Sequence, residues 1–333
     1  METHINSVKA WFLAARPKTL TGAAAPVLVG TALAWHEDLA DSFYACVQMP
    51  PEESDRAFLL WIHWMMIGIP ALLCLLFAFI MQIDANFIND YFDYQKGSDR
   101  EDRLGPERAC AQGWITPGAM RKGIAITTTL GCLMGCLILG WGHIALGRFP
   151  WELIAVGLSC VVFSFLYTTH LSYMGLGDLL VLIFFGIIPV GFTYYLITEG
   201  KWSPNLTLTS LAMGLATDNL LMVNNYRDRN QDRISGKQTI IVRIIDWCGS
   251  EWGAKISRWL YLGLGITAAA VETFVLLKTG SHLVMAPLIY LILHVHTYRK
   301  ICTLEGKELN KALGATARNI FIFGLLFAVA IVY

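Results

Sequence analysis

The chain has 333 residues, of which 55% are hydrophobic and only 15% charged, with 11 tryptophans. Its mean hydropathy of +0.52 is too high for a water-soluble domain and typical of a helical membrane protein. Formal net charge is zero, which leaves no overall basic footprint for nucleic acid.

A hydrocarbon core about 30 Å thick requires roughly 20 apolar residues per helix. By that rule the chain reads as an all-α polytopic membrane protein, a bundle of nine transmembrane helices forming one domain over 1–333. The first span, 12–35, carries Arg16 and Lys18 and is too long for the apolar core of a cleavable signal peptide. After it comes an acidic, proline-containing stretch, about 36–57, read as a solvated outer loop. The second span, 60–84, runs into a polar stretch, Asn86 to Arg108. Here Asn86, Asp90 and Asp93 are spaced i, i+4, i+7. At about 100° per residue they fall within roughly 60° of one another on a helix face. Asp99 and Asp102 extend the set into what reads as a loop after Gly97.

Spans at 122–142, 151–170, 176–198 and 206–224 follow. Cys132 and Cys136 share a helix face in the first of these, but no second pair or histidine stands at zinc spacing, so they read as packing residues. The second polar segment is Asn224 to Thr239, where Asn225, Asp228 and Asp232 are spaced i, i+3, i+7 and give another face of the same kind. The last spans lie at 257–277, 282–298 and 316–333. With nine spans, Arg56, Arg148, Lys201 and Lys278 fall on one side and the other 21 of the 25 basic residues on the opposite side. The positive-inside rule then places the N-terminus and both Asp-rich loops (about 85–121 and 224–256) in the cytoplasm, with the C-terminus outside.

A single charged loop is most often a solvated connection. Two that share an Asn-plus-two-Asp pattern, in a chain this apolar, point instead to a diphosphate carried on Mg²⁺. The candidate metal ligands are Asn86, Asp90, Asp93, Asp99, Asn225, Asp228 and Asp232, with Asp90, Asp93, Asp228 and Asp232 as the catalytic carboxylates. Lys96, Arg108, Arg227 and Lys237 are the nearest cations for the phosphate oxygens. Tyr91, Tyr94, Tyr167 and Tyr226 flank the motifs, where they could shield a carbocation or anchor the membrane interface. Asp84, Asp178 and Asp218 sit in or beside apolar spans; Asp84 could be structural, paired with a neighbouring cation, and Asp218 either acts chemically or hydrogen-bonds within the bundle.

Several segments, in this order and spacing, resemble the UbiA superfamily of intramembrane aromatic prenyltransferases. They are Ala15-Arg-Pro-Lys-Thr19, Asn89-Asp-Tyr-x-Asp93-x-x-Lys-Gly-x-Asp99 and Gly105-Pro-x-Arg108-Ala109. Gly175-Leu-Gly-Asp178, Asn224-Asn-x-Arg-Asp228-x-x-x-Asp232 and Gly236-Lys-x-Thr239 complete the set. Within the superfamily they are most similar to the 1,4-dihydroxy-2-naphthoate polyprenyltransferase branch. That resemblance covers almost the whole chain. It implies Mg²⁺ as cofactor, a polyprenyl diphosphate and 1,4-dihydroxy-2-naphthoate as substrates, and demethylmenaquinone, CO₂ and diphosphate as products. It also implies a bacterial inner-membrane location in contact with lipid. Asp178 departs from the branch, which commonly has Glu there, and the outer loop is longer than expected. The alternatives are prenylation of another aromatic acceptor such as 4-hydroxybenzoate, or a cation-coupled transporter. The transporter would need carboxylates near mid-membrane on broken helices, whereas these cluster at helix ends among Arg and Lys.

Overall fold

Backbone polar groups cannot be left unpaired in hydrocarbon, so apolar runs of this length are bound to form helices. The computed structural model describes residues 7–49, 55–97 and 103–333, and no strand occurs among them. In chain order the helices are α1 (Ser7–Ala15), α2 (Pro17–Ala34), α3 (Ala40–Gln48), α4 (Arg56–Gln95), α5 (Pro117–Leu146) and α6 (Trp151–Leu166). They continue with α7 (Gly177–Leu182), α8 (Ile188–Ile197), α9 (Pro204–Ile234) and α10 (Ile240–Cys248), then α11 (Ser250–Thr279), α12 (Ala286–Thr303) and α13 (Leu309–Val332). Wider π-helical turns at Trp35–Leu39, Tyr167–Leu171 and Ile183–Ile187 join α2 to α3, extend α6 and link α7 to α8.

Among the described residues, seven helical stretches are long and apolar enough to cross a membrane. The other two expected spans correspond to α2 and α12, which have 18 residues each. Both are less apolar because Lys18 opens one and Tyr298, Arg299 and Lys300 close the other. α2 packs on α13, α8 and α4, while α9 packs on α11, α13 and α7. Val29, Leu33, Val190, Met213, Phe323 and Phe327 share the buried core between them. Small residues set these distances: a Cβ on Gly30 of α2 would stand 2.4 Å from the Val190 carbonyl oxygen of α8. Ile126, Leu133, Leu137 and Ile144 of α5 instead face outward and are more than half exposed, as a lipid-facing surface requires.

Two features position the site. α4 has 40 residues and, at 1.5 Å per residue, is about 60 Å long, twice the hydrocarbon thickness. α9, with 31 residues, is about 46 Å long. Both Asp-bearing faces therefore ride on rigid helical extensions that continue past the apolar spans ending at 84 and 224. The second feature is a break at Arg16, which takes a left-handed conformation (φ 51°, ψ 67°) between α1 and α2, with Pro17 starting the new helix.

The stretch read as a solvated outer loop is largely helical, running through the π turn and α3 before residues 50–54, which lie outside the described set. Tyr194 Oη and Asn205 Nδ2 each donate to Glu37 at 2.8 Å, and Lys201 pairs with Asp38. These partners lie more than 150 positions away in sequence, so local charge counting gives no sign of them.

Candidate active site

The last turns of α4 and α9 converge at one end of the bundle. Asp93 lies within electrostatic reach of Asp232 and Lys237, so the two polar faces meet in a single site. Arg108 Nη2 donates to Asp93 Oδ2 at 2.9 Å. Arg227 grips the adjacent Asp228 in a two-pronged pair, Nε to Oδ1 at 2.7 Å and Nη2 to Oδ2 at 2.6 Å, while its Nη1 donates to Asn310 at 2.7 Å. Lys237 stands 3.9 Å from Asp232. Burial alone would lower the Lys237 pKa, but Asp232, with Tyr167 and Asp93, raises it above the ordinary lysine value and keeps it cationic.

The sequence motifs around this site now have mechanical roles. In the first, Asn86 Nδ2 donates to the Ala15 carbonyl at 3.0 Å and to Thr19 Oγ1 at 3.1 Å, pinning the break that holds Arg16. In the third, a Cβ on Gly105 would come within 2.9 Å of the Arg227 guanidinium, so the glycine lets the chain lie over that cation. Gly236-Lys-x-Thr239 is a turn plus a helix cap: the Val242 amide donates to Thr239 Oγ1 at 3.2 Å, which starts α10 and fixes Lys237 just before it. Gly175, at φ +75°, abuts that turn, with its hypothetical Cβ 2.2 Å from the Gln238 carbonyl oxygen.

Asp90 is placed differently from its face neighbours. It is almost fully buried, and its two carboxylate oxygens accept the backbone amides of Ala109 (2.8 Å) and Cys110 (2.9 Å). It thus ties the Gly105–Ala109 segment to α4. Asn225 is buried as well, and Asp99 lies outside the described residues. Lys96 donates to the carbonyls of Thr168 (3.1 Å) and Thr169 (2.9 Å) and stacks over Tyr173, which makes it a cap for the π turn after α6. Thr127 (2.5 Å) and Thr128 (3.1 Å) of α5 donate to Asp84, which pairs with no cation among the described residues.

Two residues absent from the candidate set line the cavity: Asn89 and Asn224. Thr168 Oγ1 donates to Asn89 Oδ1 at 2.5 Å, which orients the amide and leaves its oxygen a second lone pair. Asn89-x-x-x-Asp93 and Asn224-x-x-x-Asp228 have the same spacing, a signal that the angular reading through Asn86 and Asn225 passes over.

The cavity they border has a volume of about 360 Å³. Arg16, Gln82, Asn89, Tyr167 and Asn224 form its polar end; Phe77, Met81, Phe163, Phe184 and Phe192 form its apolar length. A site with hydrocarbon along one wall and hard oxygen donors at its mouth suits an amphiphile with an anionic head. No three His, Cys, Asp or Glu side chains among the described residues converge as a ready-made metal cage. This arrangement fits Mg²⁺ all the same, because that ion is usually held by one or two carboxylates together with substrate phosphates and water. Here the donors on each side are one Asn amide and one or two Asp carboxylates, with arginines as counter-ions.

Residues 57–323 match the UbiA prenyltransferase family. The chain belongs to this family. It is 37% identical over 246 residues to the 1,4-dihydroxy-2-naphthoate octaprenyltransferase of Escherichia coli, covering 73% of this chain and 71% of that one. The Haemophilus influenzae protein of the same name is 29% identical over 330 residues, covering 97% and 96%. Among solved structures, a UbiA homologue from Archaeoglobus fulgidus bound to DMAPP and Mg²⁺ shares the fold, with a TM-score of 0.55 and 11% identity over 96% of this chain and 99% of that one. As a UbiA family member with seven spanning stretches, the protein is a polytopic membrane protein.

Proposed function

We propose that this UbiA protein transfers a polyprenyl group from an allylic diphosphate to 1,4-dihydroxy-2-naphthoate, with loss of CO₂ and diphosphate, to give the hydroquinone form of demethylmenaquinone. One observation carries the reading: Asn89 of α4 and Asn224 of α9, each four residues before an Asp (Asp93 and Asp228), both line a single, mostly apolar cavity. The octaprenyltransferases named above supply the choice of acceptor.

In this reading the prenyl tail lies along Phe77, Phe163, Phe184 and Phe192, with its diphosphate at the helix ends. Asn89, Asp93, Asn224, Asp228 and Asp232 would hold Mg²⁺, which when bound neutralises the departing diphosphate. Arg108 and Arg227, now paired with Asp93 and Asp228, are poised to share those carboxylates with the metal and turn donors toward phosphate oxygens. Lys237 adds a point charge, and Arg16 another at the cavity wall. Burial of the allylic end among aromatic rings excludes water, which would otherwise capture the carbocation. In this reading the helix ends bearing the site face the cytoplasm from a bacterial inner membrane, which the excess of Lys and Arg on that side supports.

The test offers the protein, in nanodiscs, an allylic diphosphate with 1,4-dihydroxy-2-naphthoate and 4-hydroxybenzoate together, with and without Mg²⁺. A Mg²⁺-dependent product with the mass of prenylated naphthoate less CO₂ is expected. Prenylated 4-hydroxybenzoate in its place would overturn the acceptor and keep the mechanism.

A further inference from the structure

The guanidinium of Arg227 holds a pose that its own helix does not dictate. Side chains at i and i+1 leave an α-helix about 100° apart and do not face each other. Yet Arg227 closes two prongs on Asp228, its immediate neighbour in α9, with its side chain only 2% exposed. Such a pose needs a brace from outside α9. Asn310, at the start of α13, supplies one: its Oδ1 accepts from Arg227 Nη1 at 2.7 Å.

Asn310 is itself fixed on every side. Its Nδ2 donates to the Leu104 carbonyl at 2.8 Å and to the Lys307 carbonyl at 2.9 Å, so both amide hydrogens and the oxygen are in use. Turned over, the amide would set its oxygen against two carbonyls and its N–H groups against a cation, so one orientation alone serves. The preceding residue, Leu309, is fully buried with Met222, Val223 and Tyr226 of α9, which seats the start of α13 beside Arg227.

The Leu104 bond reaches the other half of the site. Leu104 begins the segment that lies over Arg227 at Gly105, pairs with Asp93 through Arg108 and is tied to Asp90 by the Ala109 and Cys110 amides. The amide that braces the α9 cation is therefore aimed by the loop that serves the α4 face. The three bonds of Arg227 to Asp228 and Asn310 leave one hydrogen on each Nη for a phosphate oxygen.

Resting on the prenyl-transfer reading above, we propose that Asn310 is a positioning residue for diphosphate binding. It holds Arg227 across Asp228 with the remaining guanidinium hydrogens set for the diphosphate, and the Leu104 carbonyl holds it in turn. Asn310 touches neither substrate and acts through Arg227.

The experiment titrates a non-reactive allylic diphosphate analogue, with Mg²⁺ present, into wild type, Asn310→Ala, Asn310→Leu, Arg227→Met and Asn310→Leu combined with Arg227→Met, all in nanodiscs. Both KM values and the melting temperature are measured beside it. A hydrogen bond to a charged group is worth roughly tenfold or more in an equilibrium constant. Asn310→Ala and Asn310→Leu should therefore weaken the analogue and raise the diphosphate KM by about tenfold, with the acceptor KM within about twofold of wild type and little change in melting temperature. Leucine fills the space of the asparagine without its polar atoms, so it separates the bonds from the packing. In the Arg227→Met background, Asn310→Leu should change affinity by less than about twofold, because the one residue acts through the other. Wild-type affinity in Asn310→Leu would overturn the proposal, as would losses that multiply in the combined variant. Equal losses for both substrates with a lowered melting temperature would do the same. A wild type that binds no analogue overturns the diphosphate reading itself, and the role of Asn310 with it.

Discussion

Asp90 and Asp93 are three residues apart on the same helix and do different work. Asp93 faces Arg108, Asp232 and Lys237, whereas Asp90 binds two backbone amides. Asp93→Asn should cut turnover by at least about 100-fold with little change in melting temperature, since it removes charge from the reaction centre. Asp90→Asn should act first on stability, because an amide can accept only one of the two N–H groups and opposes the other with its own. A loss of roughly 1–3 kcal/mol is expected, read as a lower melting temperature in detergent. Sequence spacing gives the angle between such residues and says nothing of what stands opposite them. That is why spacing alone singles out Asn86, whose amide braces the Arg16 break, and passes over Asn89 and Asn224, which line the cavity.

At the scale of elements, the site depends on segments that are neither spans nor solvated loops. The turn after α6 and the turn before α10 meet where Gly175 abuts Gln238, and the Gln238 amide donates to the Tyr173 carbonyl at 3.0 Å. Gly175→Ala would place a methyl group 2.2 Å from a carbonyl oxygen at a positive φ. A destabilisation of about 1–3 kcal/mol and a raised KM for the diphosphate are expected, because Lys237 lies on the displaced turn. The helices themselves were legible in the hydropathy, since each apolar run must pair its backbone internally. The helical nature of the outer stretch was not, because Glu37 finds its partners, Tyr194 and Asn205, only once α8 and α9 are folded.

Across the whole molecule, Arg56, Arg148, Lys201 and Lys278 all lie at the helix ends away from the Asp faces: Arg56 opens α4, Arg148 follows α5, Lys201 precedes α9 and Lys278 nearly ends α11. The positive-inside rule makes that end the outer one, which leads to a topology test. A reporter cysteine at Arg233 should be labelled by an impermeant thiol reagent only in inverted vesicles, and one at Lys201 only from outside whole cells, each in a background where Cys132, Cys136, Cys248 and Cys302, the exposed native thiols, are replaced by serine.

The central claim is that α4 and α9 together build one diphosphate site. The most direct measurement is the affinity of a non-reactive allylic diphosphate analogue, with Mg²⁺ present, for wild type, Asp93→Asn, Asp228→Asn and the double variant. Each single change should weaken binding by roughly tenfold or more, and the double variant should bind only slightly worse than the weaker single, as expected for two residues that serve one bound group. Wild-type affinity in either single variant would contradict it.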